Sequence, residues 1–204
     1  MITNFLKKFH EQKKIISITT KDIEWDQSII GYITEINDDF LTINELDRYG
    51  MYIGNVTYKI SDILCVQLDN KYMRDLQITH ESRSIFNPEE RVTIWKTGTE
   101  LIPYFKTIKE NEKITRFFFE EDNFVIGIIL YFDDGFLAIK NIGEDGVEEG
   151  ISCYSISDII GLRYGGLSEQ KTKLLYRERD VFPATLNKYV GLPNQFNPKR
   201  TERK

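Results

Sequence analysis

Cysteine, histidine and long apolar runs are all scarce in this chain. It holds 2 Cys and 2 His among 204 residues. Cys65 and Cys153 do not occupy equivalent places in the internal repeat set out below, so they form no duplicated disulfide or metal framework. They read as two free thiols inside strands, as in a reducing cytoplasm. His10 and His80 are not repeated either, which leaves the doubled carboxylates Asp38-Asp39 and Asp133-Asp134 without an imidazole partner. Adjacent residues on a strand point to opposite faces, and on a turn they face water, so these pairs read as turn chemistry. No nucleophile–base pair, phosphate-cradling glycine loop or Cys/His cluster is visible, and Gly143-Glu144-Asp145-Gly146 is a turn. The expectation is a non-enzyme with no cofactor and no metal. No stretch approaches the ~20 apolar residues of a membrane span. The opening MITNFLKKFHEQKK has no apolar run of secretory-signal length, so the expected place is the cytoplasm, with no membrane partner.

Positive charge is also in deficit. The net charge is −5, and hydrophobic residues make up 41%, an ordinary globular share. Residues 1–98 carry 12 Lys+Arg against 15 Asp+Glu, and residues 99–204 carry 15 against 17. Within the second half, Lys188, Lys199, Arg200, Arg203 and Lys204 stand against Glu202 in the last 17 residues, a net of +4. The rest of that half is therefore about −6. Folded units this acidic are poor generic binders of phosphate backbones, whose affinity comes from Lys and Arg.

What the chain does have is a repeat at a spacing of 96 residues. Ile30-Gly31 returns as Ile126-Gly127, Phe40-Leu41 as Phe136-Leu137, and Gly50 and Gly54 as Gly146 and Gly150. Tyr58 with Ile60-Ser61-Asp62-Ile63 returns as Tyr154 with Ile156-Ser157-Asp158-Ile159. Over positions 30 to 67, 14 of 38 pairs are identical. The period suits one small domain rather than a solenoid unit. The expected division is 1–96 for a first unit, 97–186 for a second, and 187–204 for a flexible basic tail.

Each unit opens on a helical pattern. Phe5, Leu6 and Phe9 make one apolar stripe, with Leu101, Ile102 and Phe105 in the places 96 residues on. Thr3 and Thr99 offer N-caps, and Pro103 falls in a first turn where it is tolerated. The remainder reads as strands: 15–20, 28–36, 40–46, a stretch around Val56, Tyr58 and Ile60, and 63–68, with counterparts at 114–119, 124–132, 136–142 and 159–164. Gly31 and Gly127, inside strands apolar on both faces, predict sharp bending or a close backbone approach. Phe117-Phe118-Phe119 has no counterpart at the 96-residue spacing, where Lys21, Asp22 and Ile23 stand. Three consecutive strand aromatics imply that something besides the unit's own core covers one face. Residues 69–86 and 165–182 are partly repeated and available to cover strand edges, and Asn87-Pro88-Glu89-Glu90 marks a junction.

One helix followed by five short bent strands resembles the Sm-like small barrel, a relative of SH3-like barrels. Phe5-Leu6 is similar to the pair that opens the helix of the bacterial Sm-like RNA chaperones. Gly127, Ile129, Phe132 and Asp133 resemble the family's first motif, with Gly31, Ile33, Ile36 and Asn37 in the first unit. Tyr58-Lys59-Ile60-Ser61 resembles the second motif shortened by two residues. The match spans roughly 60 residues per unit, a small-domain length. It implies a mainly β chain of two tandem Sm-like (SH3-like) small β-barrels, each with an N-terminal α-helix. The family's base-reading residues are mostly absent: its histidine has no counterpart, Ser155 replaces Lys59, and Leu41 and Leu137 stand near the family's asparagine.

The binding candidates are therefore Tyr58 and Tyr154, as rim aromatics able to stack on a base, together with Lys59, Asn37 and Asp133. Lys199, Arg200, Arg203 and Lys204 are the tail's cationic candidates. Asp62 and Asp158 read as turn acceptors of backbone N–H groups. The sequence favours a non-enzymatic protein-binding or assembly module, present as a monomer or small homo-oligomer. The alternative is an RNA-binding protein of the Sm class, and a third reading is an enzyme with its site between the units.

Overall fold

The computed structural model describes residues 2–22 and 28–178. Its first half is α1 (Ile2–Glu11), β1 (Ile15–Thr20), β2 (Ile29–Ile36), β3 (Phe40–Leu46), β4 (Tyr52–Lys59), β5 (Ile63–Leu68) and α2 (Lys71–Glu81). After the short strand β6 (Val92–Ile94) the series recurs as α3 (Ile102–Glu110), β7 (Thr115–Phe118), β8 (Phe124–Phe132), β9 (Phe136–Ile142), β10 (Glu148–Ser155), β11 (Gly161–Tyr164) and α4 (Leu167–Glu178). All strand pairing is antiparallel. The first sheet runs β4-β3-β2-β1-β5 and the second β10-β9-β8-β7-β11-β6. Short 3-10 turns, Ile60–Asp62 and Ile156–Asp158, stand at equivalent places.

The fold is thus mainly β, as the β-branched and aromatic stretches predict, and consists of two antiparallel sheets. Both sheets are open. Among the described residues β4 does not pair with β5, so the closed barrels expected from the sequence are not formed by this pairing. The outer edge of β11 is instead taken by β6, with Leu162 opposite Ile94 and Tyr164 opposite Val92. Residues 92–94, assigned to the first unit by the sequence, therefore pair with the second sheet. The end of the second unit and the tail 187–204 lie outside the described residues.

The repeat has two offsets rather than one. From β2 onward it is 96, but Gly31 faces Ile16 while Gly127 faces Thr115, an offset of 99 for the paired strands. Lys13 and Glu112 share a left-handed backbone, with φ 50° and 46°, at the same offset of 99. The connection between β1 and β2 is three residues longer than that between β7 and β8. The helix residue equivalent to Leu6 is accordingly Phe105, not Ile102, and both are fully buried. Phe117-Phe118-Phe119 likewise corresponds to Ile18-Thr19-Thr20. Phe117 and Ile18 are both core, and Phe118 is covered by the ring of Trp95 at 4.9 Å, just past β6. The proposed N-caps also move: Thr3 lies within α1, and Thr99 lies in a 3-10 turn (Gly98–Leu101) ahead of α3. Pro103 sits in the first turn of α3.

Each sheet wraps a small core under its first helix. Leu6 packs with Ile16, Ile18, Ile33, Leu41 and Ile43 in one, and Phe105 with Phe117, Ile129, Leu137, Ile139 and Leu162 in the other. Gly31 and Gly127 mark the close approach their context predicts. A Cβ on Gly31 would land on the Asn44 carbonyl oxygen, and one on Gly127 on that of Lys140. Beyond them β2 and β8 each carry a bulge, between Ile33 and Glu35 and between Ile129 and Tyr131.

The helices α2 and α4 join the halves. Asn70 caps α2 by accepting the Met73 N–H at 2.8 Å. Ile78, Leu174 and Leu175 form an apolar cluster with Phe86 against it. Ile78 and Leu174 are 96 residues apart, so each helix presents the same position to the other. The flanking contacts are reciprocal: Lys71 of α2 pairs with Asp145 in the second sheet's β9–β10 turn, and Lys171 of α4 donates to the Arg48 carbonyl in the first sheet's β3–β4 turn at 2.7 Å. Gly127→Val, which forces a side chain onto backbone in β9, is expected to lower unfolding stability by about 1–3 kcal/mol. Urea unfolding checks this, and an unchanged midpoint would contradict the close approach.

Candidate functional site

The turn candidates are occupied by their own turns. Asn37 Oδ1 accepts the N–H groups of Asp39 at 2.9 Å and Phe40 at 2.8 Å. Asp133 Oδ1 does the same for Gly135 and Phe136, both at 2.8 Å. These two N–H bonds hold the Asp133 carboxyl below its ordinary value. Asp62 and Asp158 differ from expectation. Asp62 Oδ1 meets the Ser61 hydroxyl at 3.4 Å and Lys21 Nζ at 3.3 Å, and Asp158 accepts from the Ser157 hydroxyl at 3.2 Å.

Tyr58 and Tyr154 are half-buried and lie in different sheets, each against its own core. Tyr58 donates its hydroxyl to Glu45 Oε1 at 2.7 Å, and Tyr154 lies 4.8 Å from the Phe119 ring at a tilt of 42°. Burial raises the Tyr58 phenol well above its ordinary value, reinforced by the hydrogen bond to Glu45 and that carboxylate's charge. Lys59 is exposed at the end of β4. Lys199, Arg200, Arg203 and Lys204 lie outside the described residues. The named candidates among the described residues are not brought into one site.

Exposed apolar side chains stand on the outer strands of both sheets. β4 is an edge strand exposed over most of its length. It carries Tyr52, Val56 and Ile53, the last 65% exposed. β10 is the matching edge and carries Ile151 at 66%. Phe136, Phe40 and Tyr131 add aromatic rings beside the two β-turns. A hollow of about 410 Å³ lies next to Phe40, lined also by Asn37, Thr42 and Thr57. Cys153, on β10, is exposed and Cys65, on β5, half-buried; both are free thiols.

The two histidines serve packing. His10 Nδ1 lies 2.8 Å from the Ile33 carbonyl oxygen. His80 Nδ1 lies 2.6 Å from the Gly50 carbonyl oxygen, and its ring packs at a tilt against Tyr32 and edge-on against Tyr52. Tyr32 is pushed up to about 12, chiefly by burial and then by the charge of Glu81. Among the described residues no group of His, Cys, Asp and Glu is arranged to hold a metal ion, and no helix is long and apolar enough to cross a membrane. Comparisons with protein-family models, curated proteins and solved structures give no match.

A second feature, missed by sequence reading, is a cleft of about 380 Å³ at the seam of the two halves, lined by Arg48, Arg91, Arg116, Arg163, Glu144 and Glu169 among others. Its arginines are far apart in sequence and have no counterpart in the repeat, so spacing gave no sign of them.

Tyr58→Phe removes one hydrogen bond and is expected to cost about 0.5–1.5 kcal/mol at neutral pH. A phenol raised in the folded state contributes stability in full below its ordinary value of about 10 and loses it as pH climbs through the folded value. The gap between wild type and Tyr58→Phe in urea midpoint should therefore narrow at strongly alkaline pH. A gap that widens with alkali would show the sign to be wrong.

Proposed function

We propose that this chain is a non-enzymatic protein-binding or assembly module, built on two Sm-like small barrels whose outer strands receive another polypeptide. The scaffold part of this reading is supported by the shared strand order of the two sheets, the helix packed on each core and the bulge after each strand glycine. The binding part rests on one observation: β4 is an edge strand that stays exposed while carrying Tyr52, Ile53 and Val56. Such an edge presents unpaired backbone donors and acceptors beside apolar side chains, the requirement for strand addition. β10 offers the same arrangement through Ile151.

RNA binding, the other reading, has less support. Tyr58 is tied to Glu45, and Asn37 and Asp133 are spent on their turns. A pair of substitutions separates the readings. Ile53→Lys is expected to leave urea stability within about 0.5 kcal/mol, because the side chain is mostly in water. The same change, with Ile151→Lys, should abolish chemical cross-linking to a bound polypeptide, while oligouridine retention stays weak and salt-sensitive. Tight oligouridine binding that is unaffected by both lysines would overturn the protein-binding reading in favour of RNA.

A further inference from the structure

The seam cleft gathers four arginines in an acidic chain. Four guanidinium groups line it, from Arg48, Arg91, Arg116 and Arg163, against two carboxylates, Glu144 and Glu169, a net of +2. The whole chain is −5. Arg116 and Arg163 sit directly opposite each other on β7 and β11. Like charges in that register repel and destabilise a sheet unless something neutralises them. Glu169 does part of this work. Its side chain is 1% exposed, its Oε1 accepts from Arg163 Nε and NH2 at 3.1 and 2.8 Å, and it lies 3.3 Å from Arg116 Nε. Arg116 NH2 also donates to Glu144 Oε1 and to Ser168 Oγ, both at 3.0 Å. One buried carboxylate between two guanidinium groups leaves charge over, and Glu144 is itself largely in water.

Two further observations point to a missing ligand. Arg116 is 9% exposed and its Nε is held only by the ion pair with Glu169, without an aligned hydrogen bond, and Glu169 Oε2 is buried without a donor. Gly166 and Ser168, at the start of the twelve-residue helix α4, also line the cleft. Backbone N–H groups at a helix start favour an anion. Burial, and after it the charge of Arg163, holds the Arg116 guanidinium below its ordinary value.

We propose that this cleft is a binding site for a small phosphate-bearing molecule, its phosphate held by Arg116, Arg163 and Arg91 at the start of α4. Planar guanidinium groups match phosphate oxygens in pairs, and a phosphate would neutralise the positive charge that Glu169 and Glu144 leave over. A cavity of about 380 Å³ is of small-molecule size and exceeds what one phosphate fills. A hydroxyl on the rest of the molecule would meet the unpaired Glu169 Oε2. This site is independent of the β4 and β10 edges.

Calorimetric titration of the full chain tests it, with inorganic phosphate, ribose 5-phosphate and ribose as probes at matched ionic strength. Saturable binding of a phosphate probe is expected, with none for ribose. Tighter binding of ribose 5-phosphate assigns an ester, and equal binding assigns the free anion; both uphold the site. Arg116→Gln should weaken binding by about ten-fold or more, the loss of a charge-assisted hydrogen bond. Because Arg116 is buried, Arg91→Gln at the exposed rim provides a second variant that leaves packing alone, and it should weaken binding in the same direction. Absence of saturable binding, or binding that survives both substitutions, would overturn the proposal.

Discussion

The seating of a helix on a turn glycine sets where everything else lies. Gly50 has φ 72° and Gly146 φ 76°, a left-handed backbone that L side chains rarely adopt. A Cβ at Gly50 would come within 2.6 Å of the His80 backbone nitrogen, and one at Gly146 within 2.5 Å of that of Tyr176. These turns can therefore touch the backbones of α2 and α4 directly. His80 and Tyr176 are themselves 96 residues apart, so the contact is made twice in the same way. With both helices fixed on their own sheets, Ile78 meets Leu174 and Leu175 between them. Full burial of each such side chain is worth about 1.5–3 kcal/mol. That is enough to hold two small cores as one body when joined to the reciprocal polar contacts of Lys71 and Lys171.

The halves are alike in framework, including their β4 and β10 edges, and unlike at the seam, where the difference carries the cleft proposal. β6 covers the β11 edge in the second sheet, whereas among the described residues nothing pairs with the outer edge of β5. Ser17 and Gln67 occupy the places taken in the second sheet by Arg116 and Arg163, so the charged cross-strand pair exists once. The turn residues Arg48 and Tyr49 of the first half reach the cleft because the helix pair brings that turn to the start of α4. The seam is therefore a product of the docking, and neither half would form it alone.

Much of the framework was legible in the sequence. β1, β3, β5, β8 and β9 fall where β-branched and aromatic runs between turn residues put them. Gly31 and Gly127 stand out because glycine in an apolar strand demands a reason. The single 96-residue spacing failed upstream of β2, because the helix stripes tolerate a three-residue shift without losing their apolar character. Register was recoverable only from which residue faces Gly127. α2 was missed although Asn70, Met73 and Leu76 carry a cap and a helical spacing, since its high charge hid the apolar face. The cleft was not legible at all. Arg116 looks like an ordinary strand residue until β11 places Arg163 beside it and α4 drops Glu169 between them.

The central claim is that α2 and α4 bind the two halves through each other. Hydrogen exchange measured by mass spectrometry on an Ile78→Asp variant addresses it most directly, because an unpaired carboxylate at that position opposes burial from one side only. The account expects the backbone amides of α4, residues 167–178, to lose protection along with those of α2, while β8 and β9 remain protected. Loss of protection confined to α2, with α4 as slow to exchange as in the unaltered chain, would contradict it.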